Sequence, residues 1–227
     1  MSVHFNDFSA APTARALFDA HAVGFTWGKI IRFKSGILSP GAYNNNRVLP
    51  SYPNAWDVVV RQMMAVAIKY RGDFDVIASV ATGGIAHGVA LARLLSVPHV
   101  IIKKEEKTTH GLSGLIDGDA GLLMRARVLI IEDMSSTFES TLRAMRPIEA
   151  CNATVAHTIA ISSWGFPEFY ANVGDHQVHV LCDGEKLIEQ GIKLEKISSL
   201  KYAELLQRWI ANPHDESWIT TEWNMPS

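Results

Sequence analysis

The stretch Val128-Leu129-Ile130-Ile131-Glu132-Asp133-Met134-Ser135-Ser136-Thr137-Phe138-Glu139-Ser140 passes from four apolar residues into two carboxylates and then into hydroxyl-bearing side chains. Four aliphatic residues without polar alternation read as a strand buried on both faces, as in a parallel sheet. The hydroxyl run that follows suits a helix start, where Ser and Thr side chains gather beside free backbone N–H groups. Glu132 and Asp133 then stand at the carboxyl end of a strand, where open α/β sheets bind ligands. There the segment Ser135 to Ser140, with the hydroxyls of Ser136, Thr137 and Ser140, can hold a phosphate. The two acids can grip ribose hydroxyls or a hydrated Mg2+. On the residues alone, an acidic strand end before a Ser-rich helix cap serves equally well as plain structure.

Working outward, the same strand-loop-helix pattern recurs. Val76 to Val80 is an apolar run that leads through Ala81-Thr82-Gly83-Gly84 into a helical pattern from Ile85 to Leu95. Val100 to Ile102 follows, then a polar, glycine-bearing stretch from Lys103 to Asp119 whose length suits a lid. Val155 to Ile161 and Val178 to Leu181 read as further strands, with helical patterns at 168–173, 185–190 and 198–209. Upstream, a helix is expected from Thr13 to Ala22 with Gly24 as its stop, a short strand near Ile30 to Phe33, and a helix capped by Asn54 and ending near Tyr70. The expectation is an α/β fold with a parallel sheet flanked by helices, in one domain over 1–227. Roughly residues 1–50 form an N-terminal hood, 54–210 the core and 211–227 a tail carrying Trp218 and Trp223.

Composition narrows the function classes. The 227 residues, 48% of them hydrophobic, suffice for a sizeable core, and a formal charge of −2 argues against a generic nucleic-acid binder. Cys151 and Cys182 lie far apart without a CxxC or a His-rich neighbourhood, which indicates neither a disulfide framework nor a zinc site. Met1 to Ala11 lacks a basic flank with an apolar run, and no stretch approaches the ~20 apolar residues of a membrane span, so a cytoplasmic location is expected.

The 128–140 segment resembles the phosphoribosyl pyrophosphate signature of the type I phosphoribosyltransferases. That signature has four apolar residues, two acids, an apolar residue, hydroxyl residues, usually two glycines, then a hydroxyl. Phe138 and Glu139 depart from it, standing where a glycine or small residue is common. Ala81-Thr82-Gly83-Gly84-Ile85-Ala86-His87-Gly88 resembles the pyrophosphate loop of the orotate phosphoribosyltransferases. Lys103-Lys104-Glu105-Glu106-Lys107-Thr108-Thr109-His110-Gly111 resembles their catalytic loop, with Lys103 in place of an Arg and one extra residue before His110. Phe33-Lys34-Ser35-Gly36, Ser39-Pro40, Asn46-Arg47 and Ser51-Tyr52-Pro53 resemble the hood that holds orotate, with Asn45 where that family has an aspartate. Read without the resemblance, the 103–107 run is a solvated charged face, the Thr-Gly-Gly a tight turn and His87 a packed histidine.

The resemblance implies the type I phosphoribosyltransferase fold and a Mg2+-dependent transfer to orotate, giving orotidine monophosphate and diphosphate in pyrimidine synthesis. It assigns the ribose hydroxyls to Glu132 and Asp133, the phosphate to Ser135, Ser136, Thr137, Phe138, Glu139 and Ser140, and the diphosphate to Thr82, Gly83 and Gly84. Lys103, Lys104, Lys107 and His110 close over the leaving group, with Lys107, His110 and Asp133 the catalytic residues. Lys34 and Arg47 offer cations to the orotate carboxylate or the phosphates. Mg2+ is held mainly by substrate, with water-mediated contact to Glu132 or Asp133. A homodimer is implied, in which loop 103–119 reaches the partner's site. Two alternatives stay open: transfer to another nucleobase, and a non-catalytic sensor of phosphoribosyl pyrophosphate or nucleotide, for which Phe138 and Glu139 speak.

Overall fold

The computed structural model describes residues 3–5, 7–103 and 114–220. Its central sheet contains β1 (Val3–Phe5), β6 (Val76–Val80), β7 (His99–Ile102), β8 (Ile116–Asp117), β9 (Arg127–Met134), β10 (Thr154–Ser163) and β11 (Val178–Asp183). The strands lie in the order β1-β11-β10-β9-β6-β7-β8, all parallel except β8, which runs antiparallel to β7. The helices are α1 (Asp7–Asp19), α2 (Pro53–Lys69), α3 (Ile85–Leu95), α4 (Glu139–Glu149), α5 (Pro167–Val173), α6 (Gly184–Lys193) and α7 (Leu200–Ala211). Both faces of the sheet are covered. Leu129, Ile131, Ile159 and Ile161 join one apolar cluster with α1, α2, α6 and α7, while Val76, Ala78, Val128 and Ile130 join another with α4 and α5. The chain leaves β6 in one direction to β7 and returns on its other side to β9. These adjacent strands therefore form the topological switch point, where a crevice opens at their carboxyl ends.

Two short ribbons form the hood: β2 (Val23–Phe25) with β5 (Ala42–Asn44), and β3 (Ile31–Arg32) with β4 (Leu38–Ser39). The hood rests on the C-terminal helix. Trp209 Nε1 donates to the Leu38 carbonyl at 2.8 Å and Tyr202 donates its hydroxyl hydrogen to the Pro40 carbonyl at 2.7 Å. Phe33, Trp164 and Phe166 pack edge-on around the Trp209 ring.

The first fifty residues are not all hood. Val3–Phe5 is the edge strand of the main sheet, paired with Val178 to Val180, and α1 packs on α2, α6 and β11. That three-residue strand is too short to show a period in the sequence. The first helix starts at Asp7 and ends at Asp19, earlier than Ala22, because His21 adopts φ 52° and Val23 turns into a strand. Helix α2 begins at Pro53 rather than after an Asn54 cap, proline's fixed φ suiting a first helical position.

Opposite the crevice, where β10 and β11 begin, histidines stack. His157 Nδ1 and His179 Nε2 lie 3.1 Å apart, and Tyr70 sits 4.4 and 4.6 Å from the two rings. His4 stacks on His179, and His157 Nε2 lies 3.2 Å from Asp73. Burial, reinforced by His157, His4 and Lys69, pushes the pKa of His179 down to about 3. The native state thus resists a proton that the unfolded chain accepts near its ordinary value of about 6.5, so this contribution to stability is present above that pH and is lost as pH falls toward 3. In urea melts, stability should fall by up to about 1.4 kcal/mol per pH unit from this group below pH ~6.5. The ring-preserving His179→Phe should remove that part of the slope; an identical slope in both proteins contradicts the assignment.

Candidate active site

The loops after β6 and β9 meet in the crevice, and their contact depends on missing side chains. A Cβ on Gly83 would lie 2.0 Å from the Asp133 carboxyl carbon, so the acid occupies the space that glycine leaves. A Cβ on Gly84 would fall 2.5 Å from the Ile131 carbonyl oxygen and 2.9 Å from that of Val80, which requires the backbones of β6 and β9 to part. Thr82 is exposed at the lip, and the Ala81-Thr82 peptide is cis. Helix α3 starts directly behind this loop.

Glu132 is buried, with Ser140 Oγ 3.4 Å from its Oε1, while Asp133 faces the crevice and has Arg47 Nε 3.8 Å away. The hood reaches this point through its Asn46–Ser51 turn. Asn46, fully buried, donates from Nδ2 to the Asp133 main-chain oxygen at 2.6 Å and to Ser162 Oγ at 2.8 Å; Asn44 Nδ2 donates to the same hydroxyl at 2.7 Å. Asn44 and Ser162 are buttressing positions that the sequence does not single out, and Asn46 is read from it only as part of the hood motif. An Asn-Arg pair and a Ser-Ser strand end are common, and only the parallel register, which sets Ser162 beside Met134, brings them together.

The 135–140 loop follows. Ser135 N–H donates to the Ser162 carbonyl, and the amides of Thr141 and Leu142 return to the Phe138 carbonyl. Among the described residues, the amides from Ser136 to Ser140 have no backbone partner, and the buried Ser135 Oγ has no hydrogen-bond partner. Such a row of donors before a helix is a fitting cradle for an anion. Asn172 Nδ2 holds the loop from behind, donating to the Thr137 carbonyl at 2.7 Å.

The two departures from the motif have distinct structural outcomes. Phe138 takes the left-handed conformation, φ 65°, that explains a preference for glycine there, yet its ring is buried against Phe169 and His176. Glu139 points to solvent and pairs with Arg143 at 3.4 Å, one turn along α4. Lys34 is exposed at the tip of the β3–β4 hairpin, and Lys103 Nζ lies 3.3 Å from Asp117. Lys104, Lys107 and His110 lie outside the described residues. The structure therefore brings together Arg47, Gly83, Gly84, Glu132, Asp133 and the 135–140 loop, and leaves Lys34 on the outer hood.

The sequence pattern of the phosphoribosyl transferase domain matches residues 55–179, the span holding both loops. The chain is 34% identical over 196 residues to the orotate phosphoribosyltransferase of Porphyromonas gingivalis, covering 86% of this chain and 87% of that protein. This chain belongs to the phosphoribosyl transferase family. Among solved structures, the UMP synthase of Leishmania donovani superposes with a TM-score of 0.73 at 22% identity, covering 89% of this phosphoribosyl transferase and 43% of that longer protein. The orotate phosphoribosyltransferase of Aeropyrum pernix gives 0.66 at 21% identity, covering 78% of this chain and 96% of that one. At these identities the superpositions establish the shared fold.

The two loop glycines should respond differently to alanine. Gly84→Ala meets only backbone and should cost about 2 kcal/mol of stability by overpacking. Gly83→Ala meets a side chain, and should fold within about 1 kcal/mol of wild type while turning Asp133 aside. Thermal melts and a crystal structure of Gly83→Ala check both; an unmoved Asp133 contradicts the reading of the cradle.

Proposed function

We propose that this phosphoribosyl transferase moves the phosphoribosyl group of phosphoribosyl pyrophosphate to orotate, yielding orotidine monophosphate and diphosphate in pyrimidine nucleotide synthesis. The observation that carries the proposal is the convergence at the switch point. The Gly83 cradle, the Asp133 carboxylate and the 135–140 donors converge within one crevice, as a ligand with phosphate, ribose and diphosphate requires. Identity to proteins named orotate phosphoribosyltransferase supports the choice of base.

In this reading Glu132 and Asp133 hold the ribose hydroxyls, the amides and hydroxyls of 135–140 the 5′-phosphate, and Thr82, Gly83 and Gly84 the diphosphate. A ring nitrogen of orotate forms its bond to the anomeric carbon as the bond to the diphosphate oxygen breaks, and the electron pair leaves with the diphosphate. Lys103, Lys104, Lys107 and His110 stabilise that growing charge. Arg47, with Asp133 beside it, faces the base or its carboxylate, and Lys34 approaches from the hood. The homodimer, with loop 103–119 serving the partner's site, belongs to the same proposal.

Mg2+ fits the donors present. Among the described residues no group of three or more His, Cys, Asp or Glu could form a metal cage. Glu132, Asp133 and nearby hydroxyls are hard oxygen donors of the kind that hold a partly hydrated Mg2+ together with phosphate oxygens. Asp133 or Glu132 would hold the ion through water, and its charge would offset that of the diphosphate.

Phe138 and Glu139, the features that speak for a sensor, turn respectively into the core and toward Arg143, so neither departure blocks the loop and their support for the sensor reading falls away. Cys151 and Cys182 are free thiols, as suits the reducing cytoplasm proposed for it, and among the described residues no helix is long and apolar enough to cross a membrane.

Diphosphate release from phosphoribosyl pyrophosphate with Mg2+ and a panel of bases tests the proposal. Release with orotate is expected, with Asp133→Asn and Lys107→Ala each lowering kcat/KM by roughly a hundredfold or more. Release only with another base reassigns the acceptor, whereas calorimetric binding without release under any condition makes the chain a binding protein.

A further inference from the structure

Helix α4 begins without a side-chain cap. Its N-cap residue is Phe138, at φ 65° and ψ −5°, which has no side-chain oxygen to accept from the first-turn amides. Ser, Thr, Asp or Asn usually answers those donors. Here they stay open beside the Ser135 hydroxyl, which is buried and has no hydrogen-bond partner.

The direction of one of these donors is set from outside the loop. Asn172, half-buried on α5, donates from Nδ2 to the Thr137 carbonyl at 2.7 Å. The Thr137-Phe138 peptide is trans, so its N–H points opposite to its carbonyl. Tying that carbonyl to α5 aims the Phe138 N–H away from α5, and among the described residues this N–H has no backbone partner. One side-chain amide thus orients one main-chain donor.

The hydrogen bond opposes a preference built into this chain. A left-handed conformation is disfavoured for any residue that carries a Cβ. Rotating the Thr137-Phe138 peptide about its flanking bonds would take φ of Phe138 to the negative side, while the ring kept its place against Phe169 and His176. The same rotation would put the Thr137 carbonyl oxygen where the Phe138 N–H now points, and an anion would meet a partial negative charge. Glycine at this position would feel no such pull.

We propose that Asn172 is a positioning residue for the 5′-phosphate: its hydrogen bond to Thr137 locks the Thr137-Phe138 peptide with the N–H toward the ligand, against the tendency of Phe138 to leave the left-handed region. It touches neither substrate nor reacting atoms. The proposal rests on the reading of the 135–140 loop as the phosphate site, and not on which base accepts the ribose.

Two substitutions separate donation from bulk. Asn172→Leu keeps the size and removes the donor, whereas Asn172→Gln keeps the donor on a longer arm. Calorimetry with ribose 5-phosphate should show Kd about tenfold weaker in Asn172→Leu and within about threefold of wild type in Asn172→Gln. KM for phosphoribosyl pyrophosphate should move in the same way, with kcat within about twofold of wild type in both variants. A crystal structure of Asn172→Leu should show the Thr137 carbonyl turned and Phe138 at negative φ. Unchanged affinity in Asn172→Leu, equal losses in the two variants, or a fall in kcat at unchanged KM overturns the proposal. If the wild type binds ribose 5-phosphate but releases diphosphate with no base, the transferase reading fails and the affinity comparison still decides the role of Asn172. A wild type that binds neither ribose 5-phosphate nor phosphoribosyl pyrophosphate overturns both.

Discussion

The architecture depends on the absence of two Cβ atoms at one place. Strands β6 and β9 are neighbours, so the loops that leave them compete for the same space above the sheet. Gly84 lets the first loop lie against the Ile131 and Val80 carbonyls, and Gly83 leaves a gap that the Asp133 carboxylate occupies. Bulk at Gly84 pushes apart the backbones that bring the α3 start, the acidic pair and the 135–140 donors to one space, while bulk at Gly83 turns the Asp133 carboxylate out of the gap. The fold brings the strands together; the glycines allow the loops to meet.

An acid at such a junction needs its neighbours arranged, since polar groups withdrawn from water require partners. The hood supplies them. Asn46 and Asn44 converge on Ser162 Oγ, Asn46 also takes the Asp133 main-chain oxygen, and Arg47 stands by the carboxylate. The hood in turn rests on α7 through Trp209 and Tyr202, so a C-terminal helix far along the chain fixes an N-terminal part of the site. The 3.8 Å between Arg47 and Asp133, with the Arg47 side chain 52% exposed, makes this pair an adjustable contact rather than a rigid clamp.

Most of the sheet was legible because its strands are buried on both faces, which leaves continuous apolar runs. Val76–Val80 and Ile85–Leu95 coincide with the elements read from the residues, and β9 extends the Val128–Ile131 run through the acids themselves. What escaped was short or dependent on register. Strands β1, β4, β5 and β8 have two or three residues each, too few to show a period. The Ser162 hydroxyl matters only because β10 runs parallel to β9 in the register that places it beside the site. His87 carried no sequence signal beyond a polar residue in an apolar helix, and its hydrogen bond to Trp56 joins residues distant in sequence.

Phe138 shows how a motif can change without changing the shape that the motif encodes. A left-handed conformation costs a non-glycine residue roughly 1–2 kcal/mol, which is why glycine is common at such a place. Burying an aromatic side chain returns about 1.5–3 kcal/mol, and here the ring is 1% exposed between Phe169 and His176. The two effects are of similar size, so the backbone can keep the turn that exposes the amides while the side chain leaves for the core. Glu139 solves the second problem by a different route: the first residue of a helix faces solvent readily, and Arg143 one turn on answers its charge. What this loop presents to the crevice is backbone N–H, and the backbone conformation survives because packing behind it replaces the freedom that glycine would have provided.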